Sequence, residues 1–222
     1  MVIRDILYFL GASLCHQNAY RSFAPNGLAM PVCSRCTGIY IAFLLSLIVM
    51  VVLDRRAKIN LPPKKILWGM LAVLLVMGAD VAVSTLQIYD SGNIIRFFTG
   101  FMFGWSLPLV LLPLKNLLLF RTGVNSYYLK SKTRWAAWAS LGVLFMAAFY
   151  FSRAPLFWLW STLSVLGLVV FAALLLVLLI SLFPNCGGRV TRGWMQAGAY
   201  LAGFIASLLI LSGLSALRIY WF

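Results

Sequence analysis

Long apolar runs separated by short polar segments dominate the pattern along the chain. Six of these runs approach the roughly 20 residues that a helix needs to cross the hydrocarbon layer of a bilayer. They cover residues 37–53, 66–88, 94–114, 135–151, 156–183 and 194–217. Because unpaired backbone groups are not tolerated in lipid, each run is predicted to form a transmembrane helix. The apolar segment from Val2 to Cys15 is shorter and carries Arg4 and Asp5, so it is predicted to be a short helix that spans, enters or lies on the membrane.

This pattern predicts an all-α fold, a polytopic transmembrane helix bundle with six long helices and a short N-terminal helix. The composition agrees, because a chain that is 63% hydrophobic and 10% charged has too little polar surface for a soluble domain of 222 residues. We expect residues 1–222 to form a single integral membrane domain. Residues 1–114 carry the Cys, His, Asp and Arg residues of interest, and residues 115–222 are interpreted as scaffold helices.

The net charge of +14 comes from basic residues that concentrate in the loops. If the six helices alternate in direction, twelve cations share one face: Arg55, Arg56, Lys58, Lys64, Lys65, Lys115, Arg121, Lys130, Lys132, Arg134, Arg189 and Arg192. The other face carries five: Arg21, Arg35, Arg96, Arg153 and Arg218. The excess of loop cations on the cytoplasmic side of membrane proteins therefore predicts a multi-pass protein of the cell membrane with the first group in the cytoplasm. These cations are expected to contact membrane lipids and not nucleic acid.

Three of the four cysteines and the only histidine lie within 22 residues. They are Cys15, His16, Cys33 and Cys36, whereas Cys186 lies apart in a basic loop. Pro31 before the Cys33 to Cys36 pair favours a turn that leads into a helix. The unpaired amides of a helix N-terminus and the charge of Arg35 would both stabilise a thiolate there. The charge distribution predicts that this cluster faces the extracytoplasmic side.

Three interpretations of the cluster remain open. In the first, all four residues form a Cys3His set for zinc or another thiophilic transition metal, and the number of ligands favours this interpretation. In the second, Cys33 and Cys36 form a redox pair that alternates between dithiol and disulfide, with Cys15 as a third exchanging thiol. In the third, a structural disulfide attaches the N-terminal segment to the first long helix. The first interpretation requires Cys15 and His16, which are neighbours in sequence, to turn the same way.

Asp80 lies deep in the second apolar run and needs a partner or a proton, because an unpaired carboxylate there costs about 2.5 to 3.5 kcal/mol. Arg96 near the start of the next run is within reach if the short turn makes the two helices antiparallel neighbours. We therefore predict an ion pair between Asp80 and Arg96. Together with Asn93 and Thr99, these residues are expected to line a polar pocket that locks helices together, binds a substrate or handles protons.

The helix that follows Asp80 carries two further signals. Thr99, Gly100 and Gly104 form a face of small residues that lets the backbone of a neighbouring helix approach closely. Pro108 and Pro113 are expected to kink this helix or end it early.

Two blocks of the sequence resemble a family of predicted bacterial and archaeal multi-pass membrane proteins of unknown function. The first block contains Cys15-His16-Gln17, Arg21-Ser22-Phe23 and the run from Pro31 to Tyr40. The second contains Asp80, Asn93, Arg96, Thr99, Gly100 and Gly104. The resemblance covers roughly residues 10–105 and implies that both blocks belong to one site. It implies no activity.

From the sequence we expect a membrane protein with an outward-facing Cys/His site for a transition metal, zinc or a similar ion, that is structural or serves binding or transport. One alternative is a membrane thiol-disulfide oxidoreductase that uses the Cys33 and Cys36 pair, coupled to a quinone held among aromatic residues. Another is a carrier of lipids or small molecules. The ligand would be an ion or a small molecule, and the sequence leaves enzymatic activity and oligomeric state open.

Overall fold

The structure, a computed structural model, describes residues 2–119, 124–182 and 193–221, and no β-strand occurs in these ranges. Its helices are α1 (Val2–Ala12), α2 (Ser34–Leu53), α3 (Lys64–Thr85), α4 (Asn93–Ser106), α5 (Pro108–Leu119), α6 (Lys132–Ser152), α7 (Phe157–Ser181) and α8 (Gly193–Trp221), with a 3-10 turn at Ala19–Arg21. Six segments are long and apolar enough to cross a membrane, with α4 and α5 counting as one. The predicted all-α bundle with six long helices and a short N-terminal helix is confirmed.

The third apolar run contains the break that its prolines predict. Helix α4 ends at Ser106, and α5 begins at Pro108. Proline has no amide hydrogen and is tolerated at the first position of a helix, where that hydrogen would have no partner. Pro113 lies inside α5. The two helices still form one apolar segment, Asn93–Leu118, of sufficient length to cross the membrane.

Helix α2 is the central helix and contacts α4, α5, α6 and α7. Glycines make this packing possible, because a Cβ atom added at Gly104 would overlap the Ile39 carbonyl oxygen and one at Gly167 would overlap the Tyr40 carbonyl oxygen. The predicted close approach at the small-residue face of α4 is therefore confirmed, and its partner is α2. Helix α3 packs mainly on α4 and is otherwise exposed to the membrane.

Aromatic side chains fill the space between α2, α4, α6 and α7. The rings of Phe97 and Phe149 stack with centroids 4.1 Å apart. Ser46 of α2 donates its hydroxyl to the Trp105 carbonyl oxygen at 2.7 Å and accepts the indole N–H of Trp138 at 3.0 Å. This buried serine thereby joins three helices, with its polar group fully paired.

The cysteine segment and the first basic loop lie at opposite ends of α2. Cys33 immediately precedes the helix and Asp54 immediately follows it. Four residues named in the sequence analysis, Arg121, Cys186, Arg189 and Arg192, lie outside the described residues.

Candidate metal centre

Three cysteine side chains converge at the start of α2. The sulfur atoms of Cys15, Cys33 and Cys36 all lie within 4.8 Å of one another, and all three thiols are free. Cys15 is 1% exposed, whereas the other two are half-buried. A tetrahedral ion with bonds of about 2.3 Å to each sulfur would hold the sulfurs about 3.8 Å apart, so the separations need to shrink by at most about 1 Å.

The first turn of α2 positions two of these sulfurs. Cys33 is the residue that precedes the helix, and its carbonyl oxygen accepts the Thr37 amide at 2.8 Å. Cys36 follows three residues later, on the same side of the helix. The hydroxyl of Thr37 also donates to the Val32 carbonyl oxygen at 3.2 Å, which fixes the direction of the incoming chain. The predicted turn into a helix at the cysteine pair is confirmed.

The third sulfur comes from the segment after α1. The amide of Cys15 donates to the Gly11 carbonyl oxygen at 3.2 Å and so continues the last turn of α1. The Cys15 sulfur in turn accepts the Cys33 amide at 3.1 Å. A backbone N–H that points at sulfur stabilises the anionic form over the thiol. This one backbone hydrogen bond favours the anionic sulfur that a metal ligand needs, although the neighbouring Cys33 thiol and burial together keep the pKa of Cys15 above its usual value.

Gln17 holds the α1 segment against the entrance to α2, a role that the sequence analysis did not assign. Its side-chain amide donates to the Tyr8 carbonyl oxygen at 2.6 Å and to the Pro31 carbonyl oxygen at 2.8 Å. The Gln17 backbone has a φ of 47°, in the left-handed region, so this position combines a backbone constraint with two hydrogen bonds. The only sequence signal was its place in the Cys-His-Gln run of the family resemblance.

Helix α8 also supports the cluster, although the sequence analysis interpreted it as scaffold. The Arg218 guanidinium donates to the Ala12 carbonyl oxygen at 2.8 Å and to the carbonyl oxygen of Cys15. Ser215, one turn earlier, donates its hydroxyl to the Phe9 carbonyl oxygen at 2.6 Å. A cation at the C-terminus of α1 satisfies carbonyl groups that lack partners within the helix and complements the helix dipole.

His16 does not join the three cysteines. It is exposed, and its ring nitrogens are not among the ligand atoms that converge. Cys15 and His16 are adjacent in sequence, but their side chains point in different directions where the chain leaves α1. Cys15 is buried, whereas His16 faces the surface. The structure therefore corrects the predicted Cys3His set to a set of three cysteines.

The three thiols differ in their tendency to ionise. The pKa of Cys33 is held well below its usual range, because Cys15 and Cys36 donate hydrogen bonds to its sulfur, with help from the charge of Arg35. The pKa of Cys15 is raised, chiefly because its hydrogen bond to Cys33 favours the protonated form, and burial adds to the effect. The lowered pKa of Cys33 favours its thiolate, which is the form that binds metal.

Asp80 pairs with Arg35, so the predicted ion pair between Asp80 and Arg96 is wrong. The Nε atom of Arg35 lies 3.1 Å from an Asp80 carboxylate oxygen, and an Nη atom of the same guanidinium contacts that oxygen too. Thr99 donates its hydroxyl to the same oxygen at 3.3 Å. Arg35 can reach Asp80 because Gly100 has no side chain, and a Cβ atom there would overlap the Arg35 backbone. The ion pair connects the Cys33 to Cys36 turn directly to α3.

Arg96 and Asn93 have other partners. Arg96 is buried, contacts the exposed carboxylate of Asp90, and lies 3.3 Å from the Ser91 hydroxyl. The Asn93 side-chain amide donates to the Tyr20 carbonyl oxygen at 3.3 Å and to that of Ser22 at 3.2 Å. Asn93 therefore holds the loop between α1 and α2.

A chain of hydroxyl groups links Arg96 to the backbone of Asp80. Ser84 donates to the Asp80 carbonyl oxygen at 2.6 Å, and its oxygen lies 2.9 Å from that of Ser91. Of the four residues predicted to line one polar pocket, the structure brings Asp80 and Thr99 into direct contact. The side chain of Arg96 is connected to the Asp80 backbone through the two serines, and its carbonyl oxygen lies 3.2 Å from the Thr99 hydroxyl.

The region that matches known proteins contains the three clustered cysteines and the Arg35 to Asp80 pair. Residues 15–110 match the model of the family described as "Predicted membrane protein (DUF2085)". An uncharacterized protein of Methanocaldococcus jannaschii is 32% identical over 108 residues, which are 49% of this chain and 67% of the relative. An uncharacterized protein of Methanothermobacter thermautotrophicus is 33% identical over 109 residues, 48% of this chain and 91% of the relative. No solved structure matches.

Proposed function

We propose that this chain, which belongs to the family of predicted membrane proteins, binds a thiophilic transition metal at Cys15, Cys33 and Cys36. The proposal is based on the geometry of the three sulfur atoms, and zinc is the first candidate ion. The observation that carries the proposal is the convergence of three free thiols within 4.8 Å. Three thiolates are soft ligands that select zinc or a similar ion over magnesium or calcium. The fourth coordination position would be filled from outside this set.

The proposed ion is resident and ties the α1 segment to α2. Its innermost ligand, Cys15, is 1% exposed and packs with Val32, Tyr40 and Leu168, so the ion would be enclosed on that side by apolar side chains. The half-buried Cys33 and Cys36 would face the route of entry. The charge of the loops favours a site on the extracytoplasmic side of the cell membrane, since the cysteines and the first basic loop lie at opposite ends of α2.

Metal content of the purified protein tests this proposal. We expect about one ion per chain in the wild type and loss of nearly all of it in Cys36→Ser, because two thiolates hold zinc far less tightly than three. Elemental analysis after extensive dialysis measures the content, and circular dichroism checks that each variant remains helical.

Two further variants sharpen the result. Cys186→Ser, which removes the cysteine that is distant from the other three in sequence, should leave the content unchanged. His16→Ala should leave it unchanged as well, because the imidazole does not converge with the three sulfur atoms. A folded wild-type protein that contains no metal after expression in zinc-supplemented medium would contradict the proposal.

Arg218 is expected to raise the affinity of the site without touching the ion. Loss of its hydrogen bonds in Arg218→Gln frees the carbonyl oxygens of Ala12 and Cys15, and we expect metal affinity to fall by about tenfold, as for other residues that orient metal ligands. Competition with a chromophoric chelator measures the change. The matched control is Arg21→Gln, since the Arg21 side chain is exposed. Equal effects of the two substitutions would mean that only the general charge near the site matters.

A thiol-disulfide oxidoreductase is the second candidate function, favoured by the proximity of the free Cys33 and Cys36 sulfurs and by the lowered pKa of Cys33. Oxidation would join the sulfurs of Cys33 and Cys36, release two protons and pass two electrons to an acceptor such as a membrane quinone. In Cys36→Ser the remaining Cys33 thiolate should then be trapped in mixed disulfides with substrate thiols. The metal proposal predicts instead that the wild-type cysteines resist alkylation until a chelator removes the ion.

A further inference from the structure

Two basic loops meet at the end of the bundle opposite the cysteines, and a cavity of about 400 Å³ lies between them. Its polar lining consists of Asp54, Arg55, Arg56, Lys58 and Arg134. Loop cations at a membrane surface ordinarily need no fixed structure to orient a protein. A cavity with a defined shape and four cations is therefore an additional feature that orientation alone does not explain.

Buried polar contacts fix the shape of this cavity. The Asp54 carboxylate is 6% exposed, accepts the Leu129 amide at 2.8 Å, and pairs with Arg134. On the other side, Asn116 donates to the Lys58 carbonyl oxygen at 2.8 Å. These bonds join the loop after α2 to α5, to the loop before α6 and to Arg134 of α6, so the backbone around the cavity is positioned before any ligand arrives, which lowers the cost of binding.

The cavity has an unbalanced positive charge. Asp54 is matched by Arg134, and within the described ranges no carboxylate contacts the side chains of Arg55, Arg56 or Lys58. Three cations that converge on one hollow are complementary to a phosphate group, which accepts several charge-assisted hydrogen bonds at once.

An apolar groove of about 510 Å³ begins at the same end of the bundle. It runs between α3, α4 and α6, and its walls include Gly69, Trp105, Trp138 and Gly142. At its basic end the groove is lined by Trp135, which directly follows Arg134 of the cavity in sequence. The charged cavity is complementary to the phosphate headgroup of an anionic lipid, and the apolar groove near it is complementary to an acyl chain.

We propose that the cavity and the groove together bind one anionic phospholipid of the surrounding bilayer, with its phosphodiester among Arg55, Arg56 and Lys58 and an acyl chain along the groove. This site is separate from the proposed metal centre and does not depend on it. Its selectivity would come from the cations of the cavity, because every bilayer lipid can offer an acyl chain to the groove.

Native mass spectrometry of the full chain in detergent tests the charged part of the site. We expect dioleoylphosphatidylglycerol to bind more tightly than dioleoylphosphatidylcholine, and Arg55→Gln/Arg56→Gln to weaken phosphatidylglycerol binding by about tenfold. The matched control is Lys130→Gln/Lys132→Gln, which removes the same charge from exposed residues next to the cavity. Equal weakening by both double substitutions would overturn the proposal, since only the surface charge would then matter.

Substitutions in α3 test the apolar part. Gly69 lines the groove and Gly78 does not, and the position of a Cβ atom is open at both. Gly69→Leu should therefore weaken binding of dioleoylphosphatidylglycerol by several fold, and Gly78→Leu should not. Inorganic phosphate at millimolar concentration should fail to displace the lipid. Displacement by phosphate, together with no effect of Gly69→Leu, would show that the cavity binds a soluble phosphate and would overturn the lipid assignment.

Discussion

Replacing Gly104 by alanine is expected to destabilise the bundle by about 3 kcal/mol, because an added Cβ atom would clash with the backbone of α2 and force helices apart. That Cβ atom would lie 2.7 Å from the Cα atom of Ile39 and would overlap the carbonyl oxygen of the same residue. Backbone atoms cannot rotate away as the end of a side chain can. The expected loss of stability in Gly104→Ala is therefore large, although alanine adds only one methyl group. The larger side chain of Gly104→Leu should prevent folding.

Unfolding in mixed micelles, followed by circular dichroism during titration with sodium dodecyl sulfate, measures this change. Gly213→Ala is the control, since a Cβ atom at Gly213 of α8 has no neighbour within 4 Å. We expect its free energy of unfolding to stay within about 0.5 kcal/mol of the wild type. A similar value for Gly104→Ala would show that α2 and α4 do not depend on this close contact.

Removing either partner of the Arg35 and Asp80 ion pair is expected to cost about 3 kcal/mol of stability. The two side chains are only 17% and 10% exposed, so the charge that remains would have little contact with water and no counter-ion. Arg35→Leu/Asp80→Leu leaves no charge behind and should recover most of the loss. The same unfolding titration, applied to the wild type, both single variants and the double variant, gives the coupling energy of the pair.

The exposed pair of Arg4 and Asp5 provides the matched control. Its side chains are 45% and 62% exposed, and Arg4→Leu should change the free energy of unfolding by less than about 1 kcal/mol. If Arg35→Leu were as mild as Arg4→Leu, the ion pair would not hold α3 to α2. Because Arg35 lies between two of the clustered cysteines, Arg35→Leu should also lower metal content, whereas Arg4→Leu should not.

The helices could be predicted from the sequence because their length is set by the thickness of the bilayer and their composition by its solvent properties. The ends moved by only a few residues, as in the first run, which was predicted from residue 37 and begins at Ser34. The convergence of Cys15 with Cys33 and Cys36 was also within reach, since three cysteines in a short segment have few ways to be far apart. The close approach at Gly104 was predicted, although its partner helix was not.

Contacts between distant parts of the chain could not be predicted in the same way. The pairing of Asp80 with Arg96 was inferred from the short turn between adjacent helices, whereas the actual partner, Arg35, reaches it across the gap at Gly100. The direction of His16 depends on how the chain leaves α1, which neither hydropathy nor spacing encodes. Arg218 lies 203 residues from Cys15 in sequence, and nothing local marks it as a support for that cysteine.

The contact of Arg218 with the end of α1 also constrains biogenesis. Synthesis of the segment that bears Cys15, Cys33 and Cys36 is complete before α8 is made, so the carbonyl oxygens of Ala12 and Cys15 gain their hydrogen bonds from Arg218 only after the last helix has docked. Docking of α8 is therefore expected to be the step that completes the packing around the end of α1.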